Sequence, residues 1–171
     1  MDNQINMENL TLDDNTFEVL PDGDYRFTVK SHEVGYATSE KMPPNTQTVL
    51  CMLEIPYMKD GMVQFATVRN QLNLYSKGMF AVRQFTDSIG LTPEKGRISG
   101  VNLNDMDGKT GVCALNTYES KNGNEFNNVQ MFYVPSKAPL KTANDEAWKN
   151  KDGYLNGGFT NAGDLDVPFT I

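Results

Sequence analysis

Apolar and polar residues alternate along several short stretches of this chain. From Tyr25 to Val34, Tyr25, Phe27 and Val29 share one face of an extended segment, while Arg26, Thr28, Lys30 and His32 share the other. This predicts a half-buried strand with a polar, basic outer face. Leu20-Pro21-Asp22-Gly23-Asp24 just before it is a turn signal. Thr46 to Tyr57 reads as a second strand, with Val49, Cys51, Leu53 and Ile55 at period two. Lys59-Asp60-Gly61 then marks a tight hairpin, because Asp-Gly tolerates the positive φ angles such turns need. Met62 to Leu72 is the return strand, with Val63 and Phe65 on one face. The period changes at Tyr75. Met79, Val82, Phe85 or Thr86, and Ile89 recur at helical spacing up to Gly90, with Ser76 as N-cap and Gly90 as the C-terminal glycine. Two further strands, Thr110 to Tyr118 and Glu125 to Val134, flank the hairpin signal Lys121-Asn122-Gly123-Asn124, and Pro135 stops the second. Residues 35–45, with Pro43-Pro44, and residues 91–108 are polar connections.

The order is β-β-β-α-β-β. A mainly β, five-stranded Greek-key barrel with a helix between strands 3 and 4 is the OB-fold arrangement, whose usual ligands are oligonucleotides or oligosaccharides. The organisation expected is an acidic lead-in over residues 1–19, an OB-like domain over 20–135, and a linker with a flexible acidic C-terminal tail over 136–171. In that last stretch Trp148, Tyr154, Phe159 and Phe169 are isolated aromatics in a Lys-, Asn-, Asp- and Gly-rich background.

Composition narrows the chemistry. The 171 residues contain 39% hydrophobic residues, enough for one core diluted by polar ends. No run approaches the roughly 20 apolar residues of a membrane helix, and the start of the chain shows no secretory signal, so the cytoplasm of a bacterial host is the expected location. Cys51 and Cys113 stand far apart in apolar runs and read as reduced core residues. With His32 the single histidine, a zinc site has no ligand set. No cofactor is expected. The net charge of −7 is unevenly spread: residues 1–20 hold five acids and no Lys or Arg, whereas residues 21–135 hold twelve acids and eleven bases. The body is nearly neutral, and screening over about 10 Å lets it carry a local basic groove. Phosphate-binding glycine loops, metal-ligand clusters and hydrolase elbows are missing, so the chain does not read as an enzyme. Asp105 and Asp107 read as a solvated turn, with an Mg²⁺-dependent nuclease the weakest of the readings.

The closing segment Asp164-Leu-Asp-Val-Pro-Phe-Thr-Ile171 resembles the acidic Asp-x-Pro-Phe tip of bacterial and phage single-stranded DNA-binding proteins. Leu20-Pro21-Asp22-Gly23-Asp24-Tyr25 and the hairpin Tyr118-Glu-Ser-Lys-Asn-Gly-Asn-Glu-Phe126, followed by Asn127-Asn128-Val129 and Tyr133-Val134-Pro135, are similar to a phage family of single-stranded DNA-binding proteins of the domain-of-unknown-function type. That second likeness spans about residues 17–135. Together they imply a protein that coats single strands with little sequence preference in phage DNA replication or recombination. They imply recruitment of phage or host replication and recombination proteins through Asp164, Asp166, Pro168 and Phe169. Thr170 and Ile171 follow the Phe and depart from the bacterial pattern, in which Phe is terminal. Barrel edges leave a homo-oligomer open.

Single strands are held by stacking on aromatics and by phosphate contacts to Lys and Arg. In an OB-fold the face of strands 2–3 and the loops joining strands 1–2 and 4–5 form the groove. The candidate cations are Arg26, Lys30, Lys41, Lys59, Arg69, Lys109 and Lys121, each of which is equally readable as a solvated surface charge. Arg69 shares the parity of Val63 and Phe65. The candidate stacking residues are Tyr36, Tyr57, Tyr75, Tyr118 and Phe126, with Phe65 divided between stacking and core. The competing reading is an OB-like protein-interaction module that does not bind DNA.

Overall fold

A computed structural model describes residues 19–93 and 101–155, the last three by backbone alone. The tail residues Asp164, Asp166, Pro168 and Phe169, and the lead-in up to residue 18, lie outside the described residues. Five antiparallel strands dominate: β1 (Gly23–Tyr36), β2 (Gln47–Lys59), β3 (Met62–Leu74), β4 (Thr110–Glu119) and β5 (Glu125–Tyr133). They form one sheet in the order β3-β2-β1-β4-β5, curled into a half-barrel. Helix α1 (Met79–Ser88) follows β3, and a second helix, α2 (Asp145–Leu155), follows β5.

β1 is central because it is long. Its first part, Gly23–Thr28, pairs with β4, and its second, Thr28–Tyr36, pairs with β2. The register slips between Val29 and Ser31, a bulge that adds local bend and twist. Before the bulge, Tyr25, Phe27 and Val29 point inward and are buried, as their alternation predicts. After it the parity reverses. His32, expected on the polar outer face with Arg26, Thr28 and Lys30, instead pairs with buried Cys51 on the inner side. No sequence period announces a single inserted residue.

The inner face closes over an aromatic cluster. The Phe132 ring meets Phe27 and Phe85 edge-to-face at 5.6 and 5.0 Å, tying β5 to β1 and α1. Val82, Phe85 and Ile89 face that core from α1. Gly111 permits the approach: a Cβ there would stand 2.8 Å from the Phe27 ring and 2.9 Å from the Ser88 hydroxyl. Asp60 and Gly61 both have positive φ, as the Asp-Gly signal requires. In the second hairpin only Gly123 does; its N–H reaches the Ser120 carbonyl, so this loop is longer than a two-residue turn. Ser76 opens a 3₁₀ turn over Ser76–Gly78 and does not cap α1, which starts at Met79 without a side-chain cap.

The linker expectation fails as far as residue 155. At the start of α2 the Asp145 carboxylate accepts the Thr142 backbone N–H and hydroxyl, which hold it below the usual carboxylate range. Asn144 is the joint. The β1–β2 ladder ends at Thr28–Glu54, and the next partner, Pro56, has no N–H to continue it. The Asn144 amide takes the vacant place. Its Oδ1 accepts the Arg26 N–H at 2.9 Å, while its Nδ2 donates to the Arg26 carbonyl at 3.0 Å and the Pro56 carbonyl at 2.8 Å. Arg26 Nε then pairs with Asp145 at 3.1 Å, so α2 lies on the outer face of the sheet, with Ala147 fully buried beneath it. Trp148 is half-buried in α2 under the Lys151 ammonium, 4.1 Å from the ring centroid.

Removing Asn144 leaves three strand groups without their partner, whereas the Arg26–Asp145 pair is part-exposed. Asn144→Ala is therefore expected to lower unfolding free energy by about 3 kcal/mol, and Arg26→Ala by about 1 kcal/mol or less. Urea titration followed by circular dichroism measures both; equal losses would contradict the role given to the amide.

Candidate nucleic-acid interface

The two edge strands, β3 and β5, approach each other but share no hydrogen-bonded ladder among the described residues. Along this open seam lies a cleft of about 430 Å³. Its walls follow from strand parity. On β3 the residues paired with inward Leu53 and Val49 are Val68 and Leu72, so Thr67 and Arg69 project outward. On the β4–β5 hairpin, Cys113 and Phe132 face inward, a register shift follows Ala114, and Tyr118 and Phe126 emerge as an outward cross-strand pair. Their rings lie 5.7 Å apart and tilted by 33°, a contact too close to admit a base between them. They present one aromatic platform, with Tyr118 52% and Phe126 44% exposed. Asn127 anchors the far wall, its side chain gripping both the N–H and the carbonyl of Leu20 at 2.9 Å. Asn128 donates to Asn116 across the hairpin.

Of the predicted site residues, Arg69 and Tyr118 meet in this cleft together with Phe126. Lys121 is exposed in the loop between the strands that carry the aromatic pair. The others are dispersed. Arg26 is committed to Asp145, and its Nη2 also reaches the Leu140 carbonyl, so it fastens α2 and is withdrawn from the candidate set. Lys30, at the bulge, lies 3.5 Å from Glu54. Tyr36 is 66% exposed at the end of β1, level with Leu74 and about 17 Å along the sheet from Arg69 at roughly 3.3 Å per residue. By parity it belongs to the inner side. Lys41 is exposed in the β1–β2 connection. Tyr57 is half-buried against the core and Lys59 exposed at the β2–β3 hairpin. Lys109 is exposed where β4 begins, and its carbonyl accepts the Val29 N–H. Tyr75 is half-buried before α1. Phe65 has outward parity and pairs with Pro56, so it lies outside the barrel interior. Thr67, Asn127 and Asn128 were missed. Parity would have found Thr67 from Arg69 and Asn128 from Phe126, had aromatics and cations not been the only types sought.

Arg69 is the only cation and Glu125 the only acid among the described residues lining the cleft. The platform is thus electrostatically balanced. Both thiols lie elsewhere: burial raises Cys51 and Cys113 to about 12, leaving them protonated at neutral pH. Comparison with protein-family models and with curated proteins finds no match to this chain.

His32 holds a different feature. Its Nδ1 lies 2.7 Å from the Asp107 carboxylate and its Nε2 3.3 Å from the Asn104 side-chain oxygen, so the protonated ring donates to both. Between these two, Met106 is fully buried, its sulfur 3.6 Å from Cys51 Sγ. The hydrogen bond to Asp107 chiefly raises the His32 pKa, against the opposing effect of burial. A raised folded-state pKa stabilises fully below the ordinary value near 6.5, and the benefit disappears as pH rises through the folded value. Melting temperature is expected to fall by a few degrees from about pH 6 to pH 8, and His32→Gln should flatten that dependence. A pH profile identical in the two proteins would refute the contribution assigned to the His32–Asp107 pair.

Proposed function

We propose that this chain binds single-stranded DNA with little sequence preference, as an OB-fold protein of phage replication or recombination. The carrying observation is the exposed Tyr118–Phe126 platform beside Arg69 on the open seam between β3 and β5. Three further points support the reading. The five-stranded antiparallel sheet, curled into a half-barrel, is consistent with the partly open Greek-key barrel that binds oligonucleotides. The platform adjoins the loop joining strands 4 and 5, one of the two loops that frame the ligand in such barrels. The chain also resembles phage single-stranded DNA-binding proteins over the residues that build this hairpin.

In this mechanism successive bases stack on the outer faces of Tyr118 and Phe126, and Arg69 meets a phosphate. Stacking is indifferent to base identity because every base has a π-face. Thr67 and Asn128 offer hydrogen bonds at the rim. Asp164, Asp166, Pro168 and Phe169 recruit replication and recombination proteins. The net charge of −7 and the balanced cleft favour the second reading, an OB-like module that grips another protein without DNA.

Fluorescence anisotropy with labelled oligo-dT and with duplex, at two salt concentrations, separates these readings. The expected result is preference for the single strand with a shallow but finite salt dependence. Equal binding to both, or none, would overturn the DNA assignment. Tyr118→Ala and Phe126→Ala should each weaken binding about 5- to 150-fold, the equivalent of roughly 1–3 kcal/mol per stacked base. Arg69→Ala should reduce the salt slope by about 0.7, one phosphate contact on a single strand.

Deleting residues 164–171 tests the tail separately. DNA affinity should be unchanged or increased, and partner capture from a nuclease-treated host lysate should be lost. A large fall in DNA affinity would place the tail in the DNA site.

A further inference from the structure

A second groove, of about 340 Å³, runs between α1 and β5. Its lining is mostly apolar. Phe80 projects from the first turn of α1 with 79% of its surface exposed, and Met131 and Val134 face it from the other side. Arg83 and Lys137 stand at its margin with Asp87, which Arg83 already holds at 3.2 Å. The groove thus combines unpaired apolar surface with an excess of one positive charge. The adjoining edge of β5 cannot accept an added strand at this point, because the Phe132 N–H is taken by the Gln84 side chain at 2.9 Å. Such a groove takes a short peptide by its side chains: apolar anchors flanked by acids.

We infer that the chain's own Asp164–Phe169 segment occupies this groove, with Phe169 against Phe80 and Met131 and the two aspartates toward Lys137 and Arg83. The segment carries Leu165, Val167, Pro168 and Phe169 between and beyond two acids, and no Lys or Arg follows Lys151. Its chemistry complements the groove in both apolarity and charge. Thirteen residues lie between the end of α2 and Phe169, so the tether spans about 48 Å when extended. A globule of this size is about 40 Å across. The groove is built from α1 and the C-terminal part of β5, whereas the aromatic cleft is built from β3 and the N-terminal part of β5. Docking therefore covers Phe169 without filling the cleft, and partner access to the tail becomes a competition with the chain's own groove. This holds whether or not the cleft binds DNA.

Amide NMR spectra of the full chain and its Phe169→Ala variant, without DNA, provide the test. The expected differences map to residues 80–87 and 131–137, persist on dilution, and vanish when both proteins also carry Phe80→Ala. Lys137→Glu should reduce the same differences severalfold. Phe80 is exposed, so its removal leaves the core in place. Spectra that coincide at the groove would overturn the inference. So would differences centred on Arg69 and Tyr118, which would put the tail in the cleft, or differences that fade on dilution, which would make the contact one between copies.

Discussion

A sheet with one apolar face must hide it, and this one does so by curling round three phenylalanines. Phe132 stands between Phe27 and Phe85, touching both edge-to-face, so β5, β1 and α1 are fixed by one contact set. Much else follows from that closure. Phe27 and Ser88 come so near β4 that position 111 has no room for a side chain. α1 packs with Val82, Phe85 and Ile89 inward, and Phe80, on its first turn, is left outside.

Curling also has a geometric cost, met at two places. β1 serves two partners by bulging at Lys30, which turns its second half and sends His32 inward. Where β1 and β2 then part at Pro56, a side-chain amide continues the ladder that the proline cannot. The helix supplying Asn144 is consequently part of the sheet's hydrogen bonding and more than an appended segment. At the other extreme, β3 and β5 come together without a ladder. A seam of this kind leaves outward side chains of both edges free to serve a ligand, and the Tyr118–Phe126 pair stands there.

The strands and α1 were legible because each announces itself by period and punctuation. Val49, Cys51, Leu53 and Ile55 are all buried where alternation puts them, and Gly61, Gly90 and Gly123 all take the positive φ their turns need. α2 was overlooked because its helical face is short, and its docking depends in good part on the buried Asn144 amide, which has no periodic signature. Thr142-x-x-Asp145 was nonetheless a readable start signal. The site was legible in its types and illegible in its grouping. Nothing in the order of residues says that Arg69 meets Tyr118 while Arg26 meets Asp145. Those pairings depend on which strands are edges and on where bulges reverse parity.

The charge pattern fits this division of labour. A cleft lined by one arginine and one glutamate gains little from long-range attraction, and the chain's surplus of acid would oppose a polyanion rather than draw it in. If the cleft holds single strands, affinity must come from short-range stacking, which the body's neutrality does not weaken. The surplus of acid over base is greatest in residues 1–20, which hold five acids and no Lys or Arg. The net charge of −7 therefore bears less on the stacking contacts proposed for Tyr118 and Phe126 than on a phosphate-driven mode of binding.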